Sequence, residues 1–408
     1  MKKISVFLLT LLVAVFCVSC EKLGIDTNPY KQLELTTKSA ALASQSGDFA
    51  FKFIDRVNDA TDGDFFISPL SMQFLLGMVL NGADGQTEKE ICSVLGYDVG
   101  DVAAVNEYCL SLLKQLPDLD KKTKLDIANA VVMNQRYSLL DSYKSAVKKS
   151  YDAELFSLDF SDAIGAANKI NKWCSRNTNG LIPKIVDKVE ANDIVYLINA
   201  LYFKSQWAEK FSKSNTASEP FTKEDGSQRD VQMMKLNKGF SYQENDIIRA
   251  VRLPYGNGAY AMTVILPVEG KTLDNVVDYL TAESWQFFLR TMVHCSVDLW
   301  LPKFESKFEI KLNEILAAMG MPSAFNAMAN FSAMSETPMF LSLVQQNAVI
   351  KVDEEGTEAA AISFAVGKEM AAAPGDRVVF HADHPFLYLI SESSTGAILF
   401  AGKYTGRI

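Results

Sequence analysis

Histidine is nearly missing from this chain: three occur in 408 residues, His294, His381 and His384. A serine or cysteine nucleophile usually needs a neighbouring base, and no G-x-S-x-G turn is present. Walker loops, G-x-G-x-x-G and H-E-x-x-H are absent as well. His381 and His384 stand three residues apart before Pro385 and an apolar run. A zinc site needs further ligands and an organised surround, so this segment reads as a loop entering a strand. Enzyme status has little support, and no metal or cofactor is expected. Basic excess is lacking too, since 40 Lys and Arg face 49 Asp and Glu for a net charge of −9. Nucleic-acid binders usually show a basic footprint, so none is expected as a partner, and polyanions are poor candidates. Lys121-Lys122 and Lys148-Lys149 read as solvated faces. No C-x-x-C occurs. Cys92, Cys109, Cys174 and Cys295 are widely spaced and read as isolated buried thiols, with a disulfide left open.

The N-terminus holds more. Lys2 and Lys3 precede an apolar run over 4–18, too short to span a bilayer but suited to a signal-peptide core. It ends in Val18-Ser19-Cys20, which resembles a bacterial lipoprotein cleavage box, although Cys17 stands where leucine is usual. On that resemblance 1–19 is a signal and Cys20 is lipidated. Glu21, not aspartate, follows it, which points to the outer membrane of a Gram-negative cell, facing the periplasm or the outside. An ordinary secretory signal with an incidental cysteine is the alternative. Residues 20–42 are polar, contain Pro29 and read as a tether. Beyond them no linker, repeat or charge run divides the chain, so 43–408 reads as one domain, expected to be monomeric.

Local patterns are mixed. Helical spacing appears over 47–57, over 71–80 after Ser68-Pro69, and over 87–95. Aromatic and β-branched runs at 193–203, 260–266, 297–301, 386–390 and 397–401 read as strands. Strands among helices without strict alternation give an α+β fold.

One stretch fits neither habit. Residues 354–377 are alanine-rich, yet no apolar helical stripe runs through them. Every second residue is small: Thr357, Ala359, Ala361, Ser363, Ala365 and Gly367. The alternate set is Glu358, Ala360, Ile362, Phe364, Val366 and Lys368, and no proline occurs before Pro374. Period two is strand spacing. As a strand it would carry one uniformly small face.

Several stretches together resemble the serpin family. They include FFISPLSMQFLLGMVL from Phe65, INKWCSRNTNGLI from Ile170, NALYFKSQW from Asn199, Leu301-Pro302-Lys303-Phe304, and Asp383-His384-Pro385-Phe386 with Phe400-Ala401-Gly402-Lys403. Their order spans more than three hundred residues. The resemblance implies the serpin fold, with three β-sheets, eight or nine helices and an exposed reactive-centre loop at about 354–377. It makes Glu354, Gly356, Thr357, Glu358, Ala359, Ala360, Ala361 and Ser363 the hinge of an inhibitory member. A protease cleaves the loop, is held as an acyl-enzyme, and is dragged across the molecule as the loop enters the central sheet. Counting from Gly356 puts the scissile bond at Met370–Ala371, within a residue or two, with Lys368–Glu369 as an alternative for trypsin-like enzymes. Methionine suits elastase-, subtilisin- and chymotrypsin-like serine proteases; papain-like cysteine proteases are further targets. A gate of Ser68, Ser71, Asn199 and Gln346, with Trp207 under the top of the sheet, would control entry. Gln346 stands where the family commonly has histidine, which bears on the strength of the gate. A non-inhibitory serpin used for binding is the rival reading.

Overall fold

The computed structural model describes residues 27–357 and 377–407. The expectations for Cys20, Glu358, Ala359, Ala360, Ala361, Ser363, Lys368, Glu369, Met370 and Ala371 fall outside them.

Nine α-helices occur among the described residues: α1 (Thr37–Asp59), α2 (Pro69–Leu80), α3 (Gly85–Leu95), α4 (Val102–Gln115), α5 (Asp141–Tyr151), α6 (Ala163–Asn177), α7 (Leu273–Tyr279), α8 (Ala282–Thr291) and α9 (Asn313–Met319). The strands are β1 (Phe65–Ile67), β2 (Lys124–Asn134), β3 (Glu154–Leu158), β4 (Val195–Gln206), β5 (Thr216–Thr222), β6 (Gln228–Glu244), β7 (Ile248–Tyr255), β8 (Tyr260–Pro267), β9 (Val293–Pro302), β10 (Phe304–Lys311), β11 (Gln345–Val352), β12 (Gly356–Thr357), β13 (Val378–His381), β14 (Phe386–Glu392) and β15 (Ile398–Tyr404). They pair into two hydrogen-bonded networks. One runs β10-β11-β12-β4-β2-β3; the other runs β1-β15-β14-β8-β7-β6-β9-β13, with β5 also on β6. The three expected sheets become two connected networks because β6, 17 residues long, pairs with β5, β7 and β9 along its length.

Helix α2 is the hub. Ser68 caps it by accepting from the Ser71 N–H, and Pro69 fills a first-turn position that needs no donor. Every residue from Pro69 to Leu80 is buried, as expected of a helix apolar all round. Its first turn lies against the six-stranded sheet, so the cap residues face the strands.

The tether is shorter than the sequence suggests. Thr36 caps α1, which starts ten residues before the predicted 47–57. Leu33 and Leu42 are buried. The Asn28 side-chain amide donates to Asp120 at 2.7 Å, the Lys31 ammonium to the Asp118 carbonyl at 2.8 Å, and the Leu33 N–H to Ser394 at 3.1 Å. The folded body therefore reaches back at least to Thr27. The 37–46 stretch lacks large apolar residues apart from Leu42, which hid the helix from periodicity.

Cys92, Cys109, Cys174 and Cys295 are free thiols. Burial pushes Cys92 up to about 11 and Cys109 and Cys174 up to about 12, so these three stay neutral and unreactive at neutral pH. Among the described residues no three metal-ligating side chains cluster. His381 stacks on Trp300 with ring centroids 4.0 Å apart, and His384 bonds Asp383 at 2.8 Å.

Candidate functional site: a strand position between β4 and β11

Strand β11 is paired with β10 from Gln345 to Val352. Strand β4 is paired with β2 from Val195 to Lys204. Their other edges face each other, and between them stands β12, two residues long. It pairs Thr357 with Val352 on one side, and Gly356 and Thr357 with Gln206 and Ser205 on the other. Among the described residues, 345–351 of β11 and 195–204 of β4 have no strand on these facing edges. The cleft so formed is walled by Ser71, Asn199, Leu201 and Ile350, and on its opposite face by Leu181, Ile182 and Val186.

The hinge starts inside the sheet. The loop reading treated 354–377 as exposed; the structure places Gly356 and Thr357 in β12, both buried. Gly356 makes this feasible. Its φ is +156°, and an added Cβ would lie 2.1 Å from the Ser205 carbonyl oxygen, so only glycine lets the chain approach β4 this closely. The Thr357 hydroxyl shares a hydrogen bond with the buried Tyr255 hydroxyl. The residues just before are fixed by a tight turn, in which the Asp353 carboxylate accepts from the N–H groups of Glu355 and Gly356 at 2.9 and 3.3 Å.

Trp207 caps this turn. Its indole N–H donates to the Asp353 carbonyl at 2.8 Å and its backbone N–H to the Glu355 carbonyl at 2.9 Å. The ring lies flat on Tyr255, centroids 4.5 Å apart. Glu354 is buried and takes Lys303 at 3.0 Å and Thr216 at 2.9 Å. Burial works against its charge, yet its own backbone N–H, Lys303 and Thr216 together hold the carboxyl below its usual range. Glu355 pairs with Lys210 at 2.7 Å. The turn is thus clamped on both sides, up to Thr357 in β12.

The gate residues meet at the first turn of α2, in two halves. Gln346 donates to the Ser68 carbonyl and accepts from the Ser68 N–H, both at 2.9 Å. On the other strand Ser71 donates to Asn199, and Asn199 donates to Asn129 at 2.8 Å. Gln346 thus bonds Ser68 and makes no bond to Ser71 or Asn199. An amide, with one donor and one acceptor side, matches a backbone N–H and C=O together; this is how glutamine serves at a position where the family commonly has histidine. Lys303, Thr216, Asp353 and Tyr255 were not singled out from the sequence. They lie up to 146 residues from the groups they bond, and no local pattern marks them.

A largely antiparallel sheet with a two-residue strand between two long neighbours among the described residues, on a mixed α+β body, is the architecture of a serpin-type protein. The family description serpin (serine protease inhibitor) matches residues 44–406, and the chain belongs to that family. It is 34% identical over 377 residues to a leukocyte elastase inhibitor of Xenopus laevis, covering 89% of this chain and 99% of that protein. The solved structure of a thermophilic serpin, tengpin, in its native state superposes with a TM-score of 0.82 at 28% identity, over 93% of this chain and 97% of that one. A thyroxine-binding globulin complex with thyroxine gives 0.81 at 28%, over 90% and 99%. The comparisons also correct the way the sequence framed the enzyme question. A missing catalytic set left the chain described by a lack; the family description and the relative's name are those of protease inhibitors, and inhibition is not catalytic turnover.

Proposed function

We propose that the protein is a suicide inhibitor of serine endopeptidases, and also of papain-like cysteine proteases, whose loop continues β12 down the cleft after cleavage at Met370–Ala371. The observation that carries this is the two-residue β12 between β4 and β11. Extending its register sets Ala359 beside Phe203 and Ile350, Ala361 beside Leu201 and Ala348, and Ser363 beside Asn199 and Gln346. These partners share the face on which Thr357 is buried, because strand neighbours point to the same side. The small residues of the loop therefore land against α2 and its gate. Ile362, Phe364 and Val366 land on the other face, toward Leu181, Ile182 and Val186. The alternation read in the sequence matches the two walls of the cleft.

Methionine before the scissile bond favours elastase- or subtilisin-like targets, and a relative carries the name of an elastase inhibitor. Lys368–Glu369 would serve trypsin-like enzymes. The thyroxine-binding globulin likeness supports a second reading, a surface binding protein whose loop does not trap. Mixing protein lacking residues 1–20 with elastase, subtilisin, trypsin and a papain-like protease separates the two. A complex that survives a denaturing gel, with a released fragment starting at Ala371, is the expected result; a fragment starting at Glu369 would move the bond. Cleavage by every enzyme without complex would favour the binding role.

Lipidation of Cys20 and an outer-membrane location are part of the same proposal. With the body docked from Thr27, the chain between lipid and body can span at most about 25 Å, so the inhibitor would stay close to the bilayer. Fractionation of a Cys20→Ser variant checks this: the parent should be in membranes and the variant soluble. A parent that is itself soluble contradicts it.

A further inference from the structure

A second cavity lies on the other side of α6, between that helix and strands β2, β3 and β4, with a volume of about 230 Å³. Its walls are apolar, among them Val132, Leu158, Ile170 and Trp173. Lys169, Lys172 and Arg176 also line it. Their spacing of three and four places them along one face of the helix. The Arg176 guanidinium and the Trp173 indole N–H both donate to Glu154, at 2.7 and 2.8 Å. That corner is neutralised and the indole is fixed in place. Lys169 and Lys172 differ: among the described residues neither has a hydrogen-bond or ion-pair partner.

Exposed lysines on a helix are ordinarily just solvated. Two unpaired ones at the mouth of an apolar cavity are a different arrangement, because the cavity offers a place for a chain and the ammonium groups a place for its charge. The volume falls below the roughly 300 Å³ at which drug-sized pockets begin, which suits one narrow acyl chain rather than a ring system. We propose that this cavity binds a free medium-chain carboxylate, with its chain against Trp173 and Ile170 and its head between Lys169 and Lys172. A carboxylate matches the two donors by charge and accepts from both. Because α6 also covers the sheet beside the cleft, such a ligand would hold the helix down and slow loop entry. This consequence rests on the insertion reading; the binding does not.

Calorimetry with decanoate on the full chain tests it, alongside decanol and acetate and a Lys169→Gln/Lys172→Gln variant. Decanoate should bind one to one and change Trp173 emission, a change lost in Trp173→Phe. The double variant should bind about tenfold or more weakly, and decanol likewise, while acetate should not bind. Both lysines are exposed, so the variant should fold. Equal affinity of parent and variant, no decanoate binding below its aggregation range, or uptake only of anionic lipid vesicles would overturn the proposal. Loss of protease trapping by an independent change such as Thr357→Arg should leave decanoate binding intact.

Discussion

Thr357→Arg should turn the protein from a trap into a substrate. Target protease should cleave the loop at the parent rate, yet covalent complex should fall by at least about tenfold and the cleaved form should accumulate. Thr357 is already buried in β12, against Tyr255 and between Ser205 and Val352. A guanidinium cannot occupy that place without losing its hydration, and an unpaired buried charge is costly. The hinge would stay outside the sheet, and every later residue would lose the strand that guides it into the cleft. The fold should survive, since the hinge can leave into solvent while the Asp353 turn and the Glu354 pair with Lys303 remain. A complementary Thr357→Ser variant should trap normally, because serine keeps the hydroxyl and stays small. If Thr357→Arg traps at the parent rate, β12 is not the start of the inserted strand.

Cleavage within 358–376 should raise thermal stability strongly. Continuing β12 opposite 345–351 and 195–204 would give backbone groups on both facing edges ladder partners. Each added hydrogen bond contributes about 1 kcal/mol net, and burying Ile362, Phe364 and Val366 adds about 1.5–3 kcal/mol each if complete. Ordering the strand costs about 1–2 kcal/mol per residue. Pairing and burial should outweigh that cost, and since each net kcal/mol raises the midpoint by roughly 2 °C, a clear upward shift is the expected result. Scanning calorimetry of intact and nicked protein measures it. An unchanged midpoint would favour the binding role.

The parts of this account that the sequence revealed are those with local signatures. Ser68-Pro69 announced the start of α2 because a capping hydroxyl and a first-turn proline act within four residues. The period-two run from Thr357 reads as a strand because pleating sorts side chains by parity, and of that run Thr357 lies in β12 while the rest falls outside the described residues. The first turns of α1 were missed, since 37–46 is too poor in large apolar residues to show a stripe. Likewise hidden was the clamp on the hinge. Glu354 with Lys303 and Thr216, and Trp207 with the Asp353 carbonyl, join segments that only the fold brings together. The sequence also placed the whole hinge in an exposed loop. That Gly356 and Thr357 already lie in the sheet depends on the Ser205 carbonyl approaching a residue without a Cβ, a contact that no local pattern encodes.

The central claim is that the loop takes the position between β4 and β11. Hydrogen exchange on intact and loop-cleaved protein tests it most directly, since exchange reports amide pairing segment by segment. The account predicts that amides of 195–204 and 345–351 which face the cleft become strongly protected after cleavage, while those of β9 and β13 change little. Exchange that stays the same in 195–204 and 345–351 after complete cleavage would contradict it.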